Sequence, residues 1–184
     1  MGPSSQLAAA TSQRHLRNAL PRRWLHVQAV AAKAEGLAYL VGDDADVLTA
    51  AAWLHDIGYA PDVADTGFHA LDGARWLRRQ GFADRIAALV AHHSCAVHEA
   101  DERGLGQALA NEFSREETAT SDALWYADMT TGPDGQDLTV DERLTEIRQR
   151  YGPDDVVTRF WQRAEPMLRH AIRRTQHRLS AQPM

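Results

Sequence analysis

The chain has 184 residues, a net charge of −5, and ordinary hydrophobic (44%) and charged (24%) fractions, which suits one soluble globular domain with a sizeable core. The acidic balance excludes a general basic field for a nucleic-acid polymer or an anionic membrane, and no apolar run approaches the roughly 20 residues of a membrane span. One cysteine excludes an intrachain disulfide framework and, with no recognisable signal peptide, favours a reducing cytoplasm.

Hydrophobic residues recur at helical spacing along most of the chain, and no stretch alternates convincingly with period two. The spacing therefore predicts an all-α protein. The predicted helices cover about 24–41, 45–57, 69–80, 83–93, 105–113, 114–128, 140–151 and 154–179.

Several details of this prediction are specific enough to be checked. Residues 1–20 predict either a loose helix or disorder. The helix over 45–57 is small and apolar on nearly every face, which indicates a central position, with Asp43 or Asp44 as its N-cap. Residues 94–107 are polar and contain glycine, which predicts a loop.

Two further signals concern the second half of the chain. Ser114, followed three residues later by Glu117, has the pattern of a capping box and predicts the start of a helix there. Pro166 lies inside the last helix, where a proline predicts a kink.

The most informative stretch is Leu54-His55-Asp56-Ile57-Gly58. It places an imidazole beside a carboxylate at the end of an apolar helix, where a buried charge is costly unless a cation meets it. Both groups ligate metals, and a carboxylate has two oxygens with which to bridge two ions.

Other histidines and one aspartate lie near the ends of different predicted helices. One ion in a helical bundle gathers its ligands in this way, and mixed imidazole and carboxylate ligation suits Fe, Mn, Zn, Co or Ni. The candidate ligands are His26, His55, Asp56, His69, His93 and Asp128, and the adjacent His92 competes with His93 for one role.

The order His26, His55-Asp56, Asp128 resembles the HD-domain superfamily of metal-dependent phosphohydrolases, over roughly residues 22–135. The sequence around His55 is similar to the family's LHDIG motif, and Ala127-Asp128 is similar to its AD helix end. The resemblance implies an HD-domain helical bundle over residues 1–184, with a core at about 22–135 and a C-terminal helical extension at about 139–180.

Two further elements resemble the bimetallic branch of that superfamily. His69 opens a stretch similar to the family's HxxxGA element, and His93-Ser94 is similar to its H[ST] element. The chain departs from the HD-GYP branch, because it has no GYP loop, Arg22 replaces a glutamate and Tyr59 replaces a lysine. These departures argue against a third metal and against cyclic-di-GMP as substrate.

The resemblance implies two divalent transition metals. His26, His55, Asp56 and Asp128 would hold the first, Asp56 would bridge as the central catalytic carboxylate, and His69 and His93 would hold the second. His98 is a candidate proton donor to a leaving group. Arg75 and Lys33 are candidate phosphate contacts. A solvated surface position is the alternative for each of these three residues.

Three functions remain open at this point. The first is a phosphohydrolase that cleaves a phosphate ester or anhydride of a nucleotide or other small phosphorylated metabolite by a metal-activated water. The second is a mixed-valent di-iron oxygenase that cleaves a C–C or C–P bond. The third is a non-catalytic metal-containing regulatory module. The expected partner is a small phosphorylated molecule rather than a membrane or nucleic-acid polymer, and oligomeric state is left open, a homodimer included.

Overall fold

A computed structural model describes residues 1–152 and 154–181 of the chain. Within those residues the regular elements are helical, apart from one isolated antiparallel bridge between Thr131 and Asp137, so the all-α prediction is confirmed. The α-helices are α1 (Pro3–Leu16), α2 (Pro21–Leu37), α3 (Ala45–Leu54), α4 (His69–Arg79), α5 (Asp84–Ala91), α6 (Ala96–Glu102), α7 (Gly106–Glu112), α8 (Ala119–Met129), α9 (Val140–Tyr151) and α10 (Val156–Ser180).

Helix α3 is the central element, as its small apolar residues predict. Its side chains from Leu48 to Ala52, together with Leu54, are buried. Alanine-rich faces allow close approach of neighbours, and α3 packs against α1, α2, α5 and α8. Two hydrophobic clusters meet along it, one with α2, α8, α9 and α10 and the other with α1, α4, α5 and α7.

The N-terminal segment is a helix rather than disordered. Ala8 and Leu16 of α1 are fully buried. The carboxylate of Asp46 on α3 accepts hydrogen bonds from the backbone N–H groups of Ser4 (2.9 Å) and Ser5 (3.0 Å). These groups have no partner within α1 because they lie in its first turn, so Asp46 satisfies them and joins the two helices.

Replacing Asp46 with alanine should therefore destabilise the protein in a pH-dependent way. Burial raises the pKa of Asp46, but the hydrogen bonds from Ser5 and Ser4 outweigh it and lower the pKa to about 2. A lowered folded-state pKa means that the stabilisation is complete above the unfolded-state pKa of about 4 and is lost as the pH falls through about 2. Urea titrations of wild type and Asp46→Ala between pH 6 and pH 2.5 should show a difference in the free energy of unfolding that becomes smaller as the pH falls. A constant difference would contradict this role.

Three local predictions were wrong. Helix α3 ends at Leu54 rather than Ile57, and residues Ile57–Tyr59 form a 3₁₀ turn. The predicted loop over 94–107 contains α6. The cap at Ser114 is absent, since α8 begins later with a capping box between Thr118 and Ser121. Asp44 does precede α3, but its carboxylate binds Arg85 and Thr120 instead of the helix N-terminus.

The last two helices close over the end of the bundle. Helix α9 starts with a capping box between Thr139 and Glu142. Helix α10 continues through Pro166 as one element of 25 residues. Arg174 and Arg178 of α10 bind the buried carboxylate of Asp122, which anchors α10 to the start of α8. None of the helices described is long and apolar enough to cross a membrane.

Candidate metal centre

The structure brings the six predicted ligand side chains together at one end of the bundle. Each lies at or near a helix end, where the backbone direction changes and a side chain can point across several elements. The ligands are His26 in the first turns of α2, His55 and Asp56 directly after α3, His69 at the start of α4, His93 directly after α5, and Asp128 near the end of α8.

Four of these side chains form a first cluster. The Nε2 atom of His55 lies 3.3 Å from Nε2 of His26 and 3.3 Å from Oδ2 of Asp56. Oδ1 of Asp128 lies 3.1 Å from Nε2 of His26. Two donor atoms that each lie about 2.1 Å from one ion, with about 100° between them, are about 3.2 Å apart. The spacing of this cluster therefore suits one cation.

The second cluster shares Asp56 with the first. The other carboxylate oxygen of Asp56, Oδ1, lies 3.7 Å from Nε2 of His69. Nε2 of His69 in turn lies 3.2 Å from Nε2 of His93. The triads His26–His55–Asp56 and Asp56–His69–His93 each place three donor atoms within 4.8 Å of one another. Asp56 therefore presents one oxygen to each triad, as a carboxylate that bridges two ions does.

Backbone carbonyls fix the orientation of three ligand rings. Nδ1 of His26 donates to Gly132 O at 3.0 Å, Nδ1 of His55 to Ala52 O at 2.8 Å, and Nδ1 of His93 to Val90 O at 2.6 Å. A carbonyl oxygen can only accept, so each Nδ1 carries a proton, and Nε2 is the ring atom that a metal can bind. Metal-binding histidines commonly have this arrangement.

His92 points away from this cluster. Its Nε2 atom donates to the carbonyl oxygen of Phe113 at 2.8 Å, and its ring is not part of either triad. Of the two adjacent histidines, the structure therefore brings His93 into the cluster.

Replacing His93 with glutamine should lower the metal content of the purified protein by about one ion per chain, because a triad loses one of its three donors. His92→Gln is the matched control, since an amide can still donate to Phe113 O and no triad changes. Elemental analysis by mass spectrometry would measure both variants. Equal metal content in the two would contradict the assignment of His93.

Burial and charge tune these groups for cation binding. Burial lowers the pKa of His69 and of His93, so both imidazoles are neutral and able to ligate. Burial also lowers the pKa of His55, but Asp56 and Asp128 outweigh it and raise the pKa to about 9. A metal ion that binds His55 at neutral pH would therefore displace a proton from this imidazole. Burial raises the pKa of Asp56 and of Asp128. Arg23 and His55 outweigh burial at Asp56, and the hydrogen bond with His26 and the charge of His55 outweigh it at Asp128, so both pKa values lie below the usual range. Two ionised carboxylates among imidazoles form a donor set that fits a divalent transition metal.

Ser94 holds one of the carboxylates in place. Its hydroxyl donates to Oδ2 of Asp128, which leaves Oδ1 of that residue facing His26. Ser94 and Cys95 both have positive φ angles, 46° and 62°, a backbone conformation that is unusual outside glycine. This tight turn lets His93 and Ser94 both reach the cluster. The Cys95 thiol instead faces Ala164 O of α10 and packs in the core, where burial raises its pKa.

The turn after Asp56 leaves no room for a side chain at Gly58. A Cβ atom at this position would overlap the backbone carbonyl of His69. A Cβ atom at Gly73 would lie only 3.1 Å from the backbone nitrogen of Gly58. The two glycines therefore let α4 pack directly on the turn, which sets the distance between Asp56 and His69.

Tyr59 and Arg23 support the second triad. The Tyr59 ring stacks on the His69 imidazole with centroids 4.1 Å apart and planes 15° apart. The Arg23 guanidinium lies 4.0 Å from the centroid of the Tyr59 ring. Nη1 of Arg23 also donates a hydrogen bond to Oδ2 of Asp56 at 2.6 Å. Burial raises the pKa of the Tyr59 phenol, so this ring stays neutral.

A cavity of about 80 Å³ lies against the cluster. Metal-ligand candidates Asp56, His69, His93 and Asp128 form one side of it. Ionisable side chains from three helices, Arg23, Glu99, Arg143 and Arg150, form another. Apolar and aromatic residues of α9 and α10 complete the wall. A larger groove of about 710 Å³ lies between α8 and α10 away from the ligands, and its charged residues of both signs offset one another.

Three predicted residues do not border this cavity. Arg75 donates to Glu112 at 2.8 Å. Lys33 donates to the hydroxyl of Thr130 at 2.9 Å and also binds Asp137. His98 lies on α6 but does not line the cavity, whereas its neighbour Glu99 does. Burial lowers the pKa of His98 and raises the pKa of Glu99.

Arg23 and the arginines of α9 were not among the candidate site residues predicted from the sequence. Arg143, Ile147 and Arg150 are spaced at i, i+4 and i+7, so they share one face of α9. Arginines on the same helix face as an isoleucine could have indicated a partly buried, functional face, because a fully solvated face does not usually include a core residue. Tyr59 was noted only as a departure from a motif.

The comparisons with known proteins agree with this geometry. The family model described as HD domain matches residues 23–132, which is more than half of the chain. The chain belongs to the HD-domain family. The matched region contains all six ligand candidates of this HD domain and ends before α9 and α10.

One curated relative is a tRNA (cytidine(56)-2'-O)-methyltransferase from Thermoplasma volcanium, 38% identical over 77 residues. The match covers 42% of this chain and 22% of that protein, so the chain spans about a fifth of the relative's length. No solved structure matches the chain significantly. The activity in the relative's name belongs to that protein, and the HD-domain match is what bears on the function of this one.

Proposed function

We propose that this HD-domain protein is a metal-dependent phosphohydrolase that cleaves a phosphate ester or anhydride of a nucleotide or other small phosphorylated metabolite. The observation that carries the proposal is the pair of triads that share Asp56, placed against a cavity whose wall also contains three arginines. Divalent ions held by His26, His55, Asp56 and Asp128, and by Asp56, His69 and His93, would supply a nucleophilic hydroxide at neutral pH.

The side chains around the cavity have roles that this chemistry requires. The guanidinium groups would bind the non-bridging phosphoryl oxygens and offset their charge, which electrostatic catalysis of phosphoryl transfer needs. Ser94 would keep Asp128 oriented through its hydrogen bond, and Arg23 would do the same for Asp56.

Glu99 takes the place of His98 as the candidate proton donor. Its side chain borders the cavity, and burial raises its pKa even though Arg103 binds it. A carboxyl group with a raised pKa holds a proton closer to neutral pH and can pass it to a leaving oxygen. We therefore assign proton delivery to Glu99 within this proposal.

The test begins with metal analysis of the purified protein, followed by chelation and reconstitution with Mn, Co, Ni, Zn or Fe. Each form is then assayed on phosphomonoesters, nucleotides and dinucleoside polyphosphates. We expect one or more metals to restore release of phosphate or nucleotide. Hydrolysis by fully stripped protein would contradict the proposal, and so would a metal-loaded protein that cleaves nothing in the panel.

The same experiment separates the alternatives. Bound iron with a mixed-valent signal and substrate-dependent oxygen consumption would favour an oxygenase. Metal binding with no turnover of any kind would favour a regulatory module. The arginines at the cavity match the charge of a phosphoryl group, so they favour a phosphate or phosphonate substrate over one that is cleaved only at a C–C bond.

A further inference from the structure

Arg143 is a buried cation with an unused donor. Arg143 is 6% exposed, and its Nη1 atom donates a hydrogen bond to the Glu146 carboxylate at 2.5 Å. Its Nε atom is buried and has no hydrogen-bond partner in the part of the chain that the structure describes. Taking a charged donor out of water without a partner is unfavourable, so the position of Arg143 favours an anionic ligand that completes its hydrogen bonding.

Arg143 and Arg150 face the same cavity. They lie two helical turns apart on α9, and both line the space bordered by His69, His93 and Asp128. Glu146 binds both guanidinium groups, so one carboxylate offsets two positive charges. Arg23 also borders this space but binds Asp56, and Glu99 of the same wall binds Arg103. The two arginines of α9 against Glu146 therefore leave one excess positive charge on the wall.

The other part of the wall is apolar. Val157, Phe160 and Trp161 of α10 border the cavity, and the two aromatic rings lie 4.8 Å apart. A ligand that fits this space has a compact anionic group and an apolar organic part. The side chains of Val157 and Phe160 offer no hydrogen-bond donor to the oxygens of a second phosphoryl group, which favours a single phosphate with an apolar substituent over a chain of phosphates.

We propose that α9 and α10, which lie outside the HD-domain match, form the substrate-recognition wall for a small organic phosphate monoester. Arg143 is the main phosphate anchor, with Arg150 as the second. The apolar residues of α10 pack against the organic group. This inference rests on the proposed function, of which it specifies the substrate class and the residues that select it.

The experiment is equilibrium binding, measured by calorimetry on the metal-loaded protein. Orthophosphate, pyrophosphate and phenylphosphonate serve as probes, because phenylphosphonate has a phosphate-like head, an apolar ring and no hydrolysable ester. Arg143→Gln should weaken phenylphosphonate binding about tenfold to a hundredfold, since it removes charge-assisted hydrogen bonds to a dianion. Arg143→Lys should fall between the glutamine variant and wild type, because lysine keeps the charge without the planar fork.

The matched control is Arg173→Gln, which removes an exposed arginine of α10 that does not line this cavity. It should change the dissociation constant less than about twofold. Thermal melts and metal content of every variant should match wild type, which separates a recognition role from a structural one. If Arg143→Gln fails to fold, the lysine variant carries the comparison.

Wild-type affinity for phenylphosphonate in Arg143→Gln would overturn the inference. So would absence of binding of any probe by wild type, and a preference for pyrophosphate over phenylphosphonate would overturn the monoester class. Loss of binding in Arg143→Gln together with a silent hydrolysis panel would leave the anion site standing and reject the proposed hydrolase.

Discussion

Replacing Asp56 with alanine should remove bound metal and reduce phosphate-ester hydrolysis at least about a thousandfold, the loss expected when a metal-activated nucleophile is no longer formed. Asp56 is common to both clusters, so its removal leaves two donors in the second and, with Asp128, three in the first, and it takes away the carboxylate that joins them. It also leaves Arg23 without its carboxylate partner next to four imidazoles. Elemental analysis and kcat/KM on the best substrate of the panel would measure the effect.

Asp122→Ala is the control for loss of a buried, arginine-bound carboxylate. Asp122 is as buried as Asp56 and binds Arg174 and Arg178, but it belongs to neither triad. We expect it to lower stability by about 1–3 kcal/mol and to leave metal content unchanged. Full metal content in Asp56→Ala, or equal metal loss in both variants, would reject the shared-carboxylate arrangement.

Replacing Gly58 with alanine should destabilise the fold by about 3 kcal/mol and lower occupancy of the second metal position. The added Cβ atom would overlap the backbone carbonyl of His69, which cannot move aside as a side chain can. Relief of that overlap shifts α4 away from the turn and separates His69 from Asp56. Chemical denaturation and elemental analysis report the two effects.

Gly36→Ala is the matched control, because it makes the same glycine-to-alanine change at a position with room for a Cβ atom. Gly36 is an exposed residue within α2, and no atom lies within 4 Å of a Cβ atom built on it. Alanine should therefore stabilise α2 by about 0.5–1 kcal/mol and leave metal binding unchanged. A Gly58→Ala protein as stable as wild type would show that the turn and α4 do not pack as described.

Much of the fold could be predicted because the chain's apolar periodicity is regular. Helices α2, α4, α5 and α9 lie within a few residues of their predicted ranges. The failures have local causes. Residues 94–107 are polar, so α6 is held by packing on α10 rather than by its own pattern. Ser114 and Glu117 match the pattern of a capping box, but the capping box in the structure is formed four residues later by Thr118 and Ser121.

The candidate ligands were predictable because metal chemistry restricts residue type and because the family motif fixes their order. The choice of His93 over His92 depended on the resemblance, and the hydrogen bond of His92 to Phe113 now gives a physical reason for it. The substrate side was less accessible. Arg75 was named as a candidate phosphate contact, but its guanidinium binds Glu112 instead. Arg143 approaches the centre only through tertiary packing of α9.

His69 differs from the other candidate ligand histidines in how its ring is held. Among the described residues, backbone carbonyls bind the Nδ1 atoms of His26, His55 and His93, whereas the ring of His69 is positioned by stacking on Tyr59. A stacked ring can slide and rotate in its plane more freely than a hydrogen-bonded one. If each triad holds an ion, the one at His69 should exchange faster than the one at His26 and His55. The two positions would then differ in kinetic lability, and occupancy of the faster one would follow the supply of free metal.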